Sequence, residues 1–402
     1  MKKRNPLIHM SVLASIFILF MSIPSHADEV RGVTDDMIKV GVIIDLTGPF
    51  ADLTVPIKEA IVNYIKHVNS VGGIHGRKIK IIVEDDRYAI PPAIAAFKKL
   101  VFRDKIFATF GPSQTGASVA LFSGIEKERV VTFPPNHSER LVAPHKRYIF
   151  MPGASYSDQI KVIVDYIVEK SKKEKPRIAI VRFDLEYGKV GLAAAEKRST
   201  FYNTQLVSDV IVAPGALEAT SQVMTLRRAK ANNVILHGNP SMAVSVLRDS
   251  RKLGYMAKFI GTLGCNSDAM VRMAGVAAKM YIGTHYFGTW YDNAPGIRGM
   301  KEVTLKYYPN TKPRNQGYTM GWSMAHIFTE GLRRAGKDLT SETFVNALET
   351  LKDFDTQGIC GPVTFTSTSH KPNEYSKFFK ADVENGRIVS FTDWLEPVGS
   401  NK

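Results

Sequence analysis

The sequence predicts an α/β fold of two successive units, each a parallel sheet flanked by helices. Three observations predict it. Short apolar runs alternate with amphipathic segments from residue 37 onward, the rhythm of strand, crossover helix and parallel strand. The rhythm pauses around KRYIFMPGASYSD and then restarts. The 402 residues, less a leader, amount to about two domains by length.

The elements follow in order. MIKVGVIIDL reads as a buried strand. Ile57, Ile61, Tyr64, Ile65 and Val68 then recur on one helical face, with Pro56 suited to a first turn. RKIKIIVEDD is a strand, PPAIAAFKKLVFRD a helix, IFATFG a strand, GASVALFSGIEKE a helix and RVVTF a strand. After the pause, YSDQIKVIVDYIVEK is a helix, PRIAIVRF a strand, YGKVGLAAAEKR a helix, and QLVSDVIV and NNVILHG strands. MAVSVLRDSRKLG is a helix and AKFIGTL a strand; the charge run SKKEKPR reads as a solvated connection. Beyond Tyr281 the order changes. Helices are expected over 295–308, 316–335 and 341–351, and short strands in GPVTF, YSKFFKADV and GRIVSFTDW.

The first 27 residues read as a cleavable signal peptide. Lys2, Lys3 and Arg4 form a basic start, residues 10–23 are apolar, and Ser25 and Ala27 are small residues placed for cleavage before Asp28. No cysteine lies near that point, so no lipid anchor is expected, and the location predicted is the periplasm. The formal charge is +15, of which the leader carries three positives. Outside the cytosol this excess excludes nucleic acid as the natural partner and fits long-range attraction of an anion. Two cysteines, Cys265 and Cys360, are too few for a disulfide scaffold or a zinc site. An oxidising compartment permits one bridge between them.

Most site chemistry is absent. There is no G-x-G-x-x-G after a strand, no phosphate-loop lysine and no H-E-x-x-H, so no nucleotide, metal or other cofactor is expected. His237 reads as a satisfied strand-end residue, and His285 and Cys265 are scattered from it. FGPSQTGAS places Ser113 between strand and helix, but not at the spacing of a hydrolase elbow. Ser113 suits hydrogen bonding at a helix N-terminus better than catalysis. Glu84, Asp85 and Asp86 alternate along a strand end, so they read as surface and capping groups rather than a converging pair.

The ordered set IKVGVIIDLTGPFADL, VNSVGGIHGRKIKIIVEDD, FGPSQTGASVA, RIAIVRFDLEYGKVGLA, VLRDSRKLGY and GICGPVTF resembles the Leu/Ile/Val-binding branch of the type I periplasmic binding proteins, the substrate-binding components of ABC importers. The resemblance runs through the whole chain after the leader. It implies a two-lobed fold with parallel sheets flanked by helices and three hinge crossovers, near 151–155, 281–286 and 358–362. Lobe 1 would comprise residues 28–152 and 284–358, and lobe 2 residues 153–283 and 359–402. A small-molecule ligand would lie between the lobes, where open α/β sheets bind. Hinge closure would present it to a permease in the inner membrane. A monomer that binds without turnover is implied; a sensor delivering the ligand to a membrane receptor, or a secreted enzyme, are the alternatives.

The resemblance also implies site residues. It brings Leu53 to the cleft where amino-acid binders place an aromatic, and offers Ser113 and Gln114 to a ligand carboxylate. The proline-rich loop TFPPNHSERL leaves the choice among Pro135, Asn136 and His137 open, since proline donates no N–H. Tyr187 and Asn239 are implied as second-lobe contacts. In the family an acid holds the ligand ammonium; here GTLGCNSD has Leu263 at that position. Burying an ammonium against leucine costs several kcal/mol in order of magnitude. Tyr286, Phe287, Trp290 and Tyr291 cluster near the second crossover. The expected ligand is therefore a small carboxylate with an apolar, preferably aromatic, body; a branched-chain or other amino-acid or amide ligand is the alternative.

Overall fold

A computed structural model describes residues 30–171 and 175–399. The leader and residues 172–174 of the charged connection lie outside the described residues.

The first sheet has four parallel strands in the order β2-β1-β3-β4: β1 (Met37–Ile44), β2 (Lys78–Asp85), β3 (Ala108–Phe110) and β4 (Val131–Phe133). Helices α1 (Ala51–Ser70), α2 (Ile90–Lys98) and α3 (Thr115–Glu128) join them. α2 runs on into a π-helical turn, Lys99–Arg103. Ile149 then bridges to Thr132 in parallel, extending this sheet as the chain leaves it. The pause in the sequence rhythm is this passage, and it ends at Ser155, which caps α4 (Tyr156–Lys170) in a reciprocal box with Asp158.

The second sheet has seven strands, ordered β11-β10-β9-β8-β7-β5-β6. Strands β5 (Ile178–Arg182), β6 (Leu206–Ile211), β7 (Asn233–His237), β8 (Lys258–Gly261) and β9 (Tyr281–His285) are parallel. They alternate with α5 (Glu186–Phe201), α6 (Thr220–Arg228), α7 (Pro240–Lys252) and α8 (Asp268–Ala274). β10 (Lys377–Asp382) runs antiparallel to β9 and pairs with β11 (Arg387–Ser390). Since β9 belongs to this sheet through His285, the second passage between sheets begins at Tyr286, and there Phe287 bridges to Cys360 of the third.

Helices α9 (Pro295–Tyr307), α10 (Gln316–Ala335) and α11 (Ser341–Leu348) return to the first lobe, where α10 packs on α1. The approach is close enough to require glycine: a Cβ on Gly321 would sit 2.3 Å from the Ile57 carbonyl oxygen. The expected strand GPVTF is not one; Val363 forms only an isolated bridge to Phe354. Helices α6 and α8 were not expected. α6 buries only Val223 and Leu226, too few apolar positions to show a period.

Candidate functional site

The C-terminal ends of the two sheets face each other, and the lobes are closed together. The turn after β1 shows how. Asp45 accepts hydrogen bonds from the backbone N–H of Gly48 (2.5 Å) and Phe50 (2.9 Å), which throws Phe50 across the gap. Phe50 stacks on Tyr88 at 4.3 Å and meets Phe183 and Tyr187 edge-on, so a first-lobe residue belongs to the second lobe's core. Asn239 caps α7 with its oxygen and donates its amide N–H to the Pro49 carbonyl (3.1 Å). Arg140 of the first lobe pairs with Glu186 of the second.

Behind Phe50 lies a chain of buried rings. Tyr187 stacks near His237 (3.9 Å) and meets Tyr156 (4.7 Å); His137 meets Tyr156 (5.6 Å) and Tyr286 (5.0 Å). His137 Nε2 and the Tyr286 hydroxyl are 3.0 Å apart. The Tyr286 ring covers Gly153, where a Cβ would come within 2.2 Å of it. Burial holds both His137 and His237 neutral, pushing each down to about 3. Burial also pushes the Tyr187 phenol well up.

The expected site residues separate into two groups. Gln114 and Tyr187 line one groove of about 370 Å³ at the mouth of the cleft, together with Tyr88, Ile90, Pro91 and Leu185. Asn136, His137, Tyr286 and Asn239 lie buried at or behind the contact between lobes, and Pro135 is buried beside Asn136. Leu263 opens the turn after β8 but packs with the first lobe's core; its N–H donates to Gln159 Oε1. Leu53 does not cross the cleft. It packs in the first core against Gly317 of α10, and Phe50 takes the crossing position. Phe50, Tyr88, Tyr156 and His237 were not foreseen as cleft residues.

Ser113 is committed elsewhere. Its N–H donates to Asp86 Oδ2 (2.8 Å), and its hydroxyl lies 2.7–2.8 Å from both carboxylate oxygens. The strand-end acids thus divide: Asp85 caps the Leu46 N–H, whereas Asp86 is fully buried rather than a surface group. Burial raises the Asp86 carboxyl above its ordinary range, and neighbouring Asp45 adds to the shift. A ligand carboxylate at Ser113 would meet another carboxylate.

Four buried polar atoms on the first lobe's cleft loops have no hydrogen-bond partner among the described residues: Gln114 Oε1, Asn136 Oδ1, His137 Nδ1 and Ser138 Oγ. Gln114 Nε2 donates to the Tyr88 carbonyl and Asn136 Nδ2 to the Pro112 carbonyl, so the free amide atoms are acceptors. Arg87 and Arg140 on the cleft loops and Lys189 of α5 are paired with Asp85, Glu186 and Asp184. On the second lobe Asn266 packs beside Gly283, its amide unpartnered, and Asp268 turns away to accept the Ile388 N–H. Neither replaces an acid at Leu263.

The two cysteines do not pair. Both thiols are free and buried, Cys265 in the second core against the Gly238 N–H, Cys360 in the first against the Ser323 hydroxyl. Packing in separate cores keeps them apart.

Two α/β lobes closed over a lined cleft, with three passages between them, define a bilobal solute-binding protein. The periplasmic binding protein family matches residues 37–387, and the chain belongs to it. A Leu/Ile/Val-binding protein homolog of Brucella melitensis is 25% identical over 360 residues, covering 88% of this chain and 93% of the relative. Among solved structures, a branched-chain amino acid ABC transporter protein from Thermus thermophilus with bound valine superimposes with a TM-score of 0.83 at 26% identity, covering 90% of this chain and 97% of that one. A fatty acid ABC transporter substrate-binding protein from Thermomonospora curvata gives 0.83 at 24% identity, covering 93% and 96%. Family and fold are those of solute-binding proteins, not of enzymes.

Proposed function

We propose that this chain is the periplasmic substrate-binding component of an ABC importer. It closes two lobes on a small ligand with an apolar body and an uncharged polar head, such as an amide or alcohol, and presents the closed form to a permease as a monomer. The hinge is assigned to the three passages, near 151–155, 286–290 and 358–362.

The observation that carries the ligand class is charge balance in the cleft. Leu263 stands where an ammonium would need an acid, and Asp86 stands against Ser113 where a carboxylate would need donors. Arg87, Arg140 and Lys189 are already paired. A net charge buried there of either sign costs several kcal/mol in order of magnitude. The free acceptors of Gln114 and Asn136 suit a head that donates hydrogen bonds. Tyr88, Ile90, Pro91 and Leu185 offer the apolar body its wall.

A branched-chain amino acid is the second reading, favoured by what the relatives are named for. Mass spectrometry of ligand released from natively purified protein separates the two. An uncharged-head compound, recovered chemically unchanged, is expected; a free α-amino acid or a carboxylic acid overturns the reading.

A further inference from the structure

Outside the cleft, the first passage runs beside the segment that follows the third. Met151 donates its N–H to the His370 carbonyl (3.0 Å), and the fully buried His370 ring stacks on Phe150 at 3.8 Å. Its Nδ1 is 3.0 Å from the Ile149 carbonyl and its Nε2 is 3.1 Å from Glu349 Oε1. A carbonyl only accepts, so Nδ1 carries the hydrogen. In a neutral ring, Nε2 then aims a lone pair at a carboxylate oxygen. Two acceptors in contact need something positive between them.

His145 converges on the same point from the exposed side. Its ring centroid is 4.5 Å from that of His370, and the ligand atoms of His145, Glu349 and His370 all lie within 4.8 Å of one another. Arg147 occupies Glu349 Oε1 at 3.0 Å, while Oε2 accepts no hydrogen bond among the described residues. We propose that His145, Glu349 and His370 bind one first-row divalent metal ion, for which two imidazole nitrogens and a carboxylate are the donor set. Zinc suits it, with a fourth position left to water on the His145 side. The Nδ1 bond to the Ile149 carbonyl would fix the tautomer and aim Nε2, as outer hydrogen bonds do at histidine metal sites. The ion would clip the loop after β4, the end of α11 and the segment after the third passage together on the first lobe's side of the hinge. The ligands are far apart in the chain, so no metal-binding spacing shows in the sequence.

The test uses the full chain without a histidine tag, stripped with chelator and titrated with zinc chloride by calorimetry and thermal unfolding. One zinc per chain at about 10 μM or tighter, with a rise in Tm on saturation, is expected. His145→Ala, at an exposed position, and Glu349→Gln should each weaken binding by about tenfold or more. His75→Ala, on an unrelated surface, should leave it unchanged. Absence of zinc binding, or binding unaltered in both His145→Ala and Glu349→Gln, overturns the site; a doubly protonated His370 against Glu349 would give the first result.

Discussion

The two walls of the cleft carry different groups. The first lobe presents polar loops, with Asp86, Ser113, Gln114, Asn136, His137 and Ser138 gathered beyond the ends of β2, β3 and β4. The second presents rings and aliphatic groups: Tyr156, Phe183, Tyr187 and Leu263. The free acceptors of Gln114 and Asn136 lie on the first lobe, whereas an apolar body would be met by both lobes, by Tyr88, Ile90 and Pro91 of the first and Leu185 and Tyr187 of the second. Closure then needs a molecule that reaches both walls, because only such a ligand favours the closed form.

Acid is expected to have the broadest effect. His137 on one wall, and His237 and His285 on the other side, are held neutral by burial, each near 3 against an ordinary 6.5. Their folded values lie below the unfolded ones, so the unfolded chain takes up protons first as pH falls. Stability is full above about pH 7 and is lost progressively below 6.5. At pH 5 each ring costs about 2 kcal/mol, as an upper figure. Urea unfolding at pH 7 and pH 5 measures it; equal midpoints would show that the rings titrate freely.

Phe50→Ala attacks the contact between the walls. It removes a stack on Tyr88 and two edge contacts in the second core. A loss of about 3 kcal/mol from the closed form is expected, by analogy with core aromatic truncation. Solution scattering should show a larger radius of gyration than wild type, and an unchanged curve would deny Phe50 this role.

Asp86→Asn sharpens the first wall alone. Removing the carboxylate should raise the affinity for 4-methylpentanoate by about tenfold or more, given the size of a like-charge repulsion at close range. Affinity for 4-methylpentanamide should change less than about threefold by the same argument. Calorimetry on both ligands decides it; equal changes would place Asp86 outside the ligand's reach. The smallest effect is expected from Asn239→Ala, which loses a helix cap and one bond between lobes, about 1–2 kcal/mol in thermal unfolding.

Much of this was legible in the sequence. The alternation of apolar runs and helical faces placed β1 to β5 and the late helices, because each buries a full face of a sheet or a stripe of a helix. The hairpin β10–β11 was visible as strands, though not its antiparallel pairing to β9, which depends on the third passage. Gln114 and Tyr187 each follow a strand directly and line the groove at the cleft mouth. Residues set by turn geometry were not legible. Asp45 decides that Phe50 rather than Leu53 crosses the cleft, and a turn held by two N–H bonds to one carboxylate has no periodic signature. The pairing of Asp86 with Ser113 joins residues beyond the ends of β2 and β3, which β1 separates in the sheet.

On the proposed reading, the cleft accepts an apolar body with an uncharged head and refuses a free amino acid. Leucine and 4-methylpentanamide share one carbon skeleton and differ in head group, so their affinities for the wild-type protein, measured by calorimetry at pH 7, isolate that choice. The amide should bind at least about a hundredfold more tightly, the effect of leaving an ammonium unpartnered against Leu263. Leucine binding as tightly as the amide, or more so, would contradict that reading.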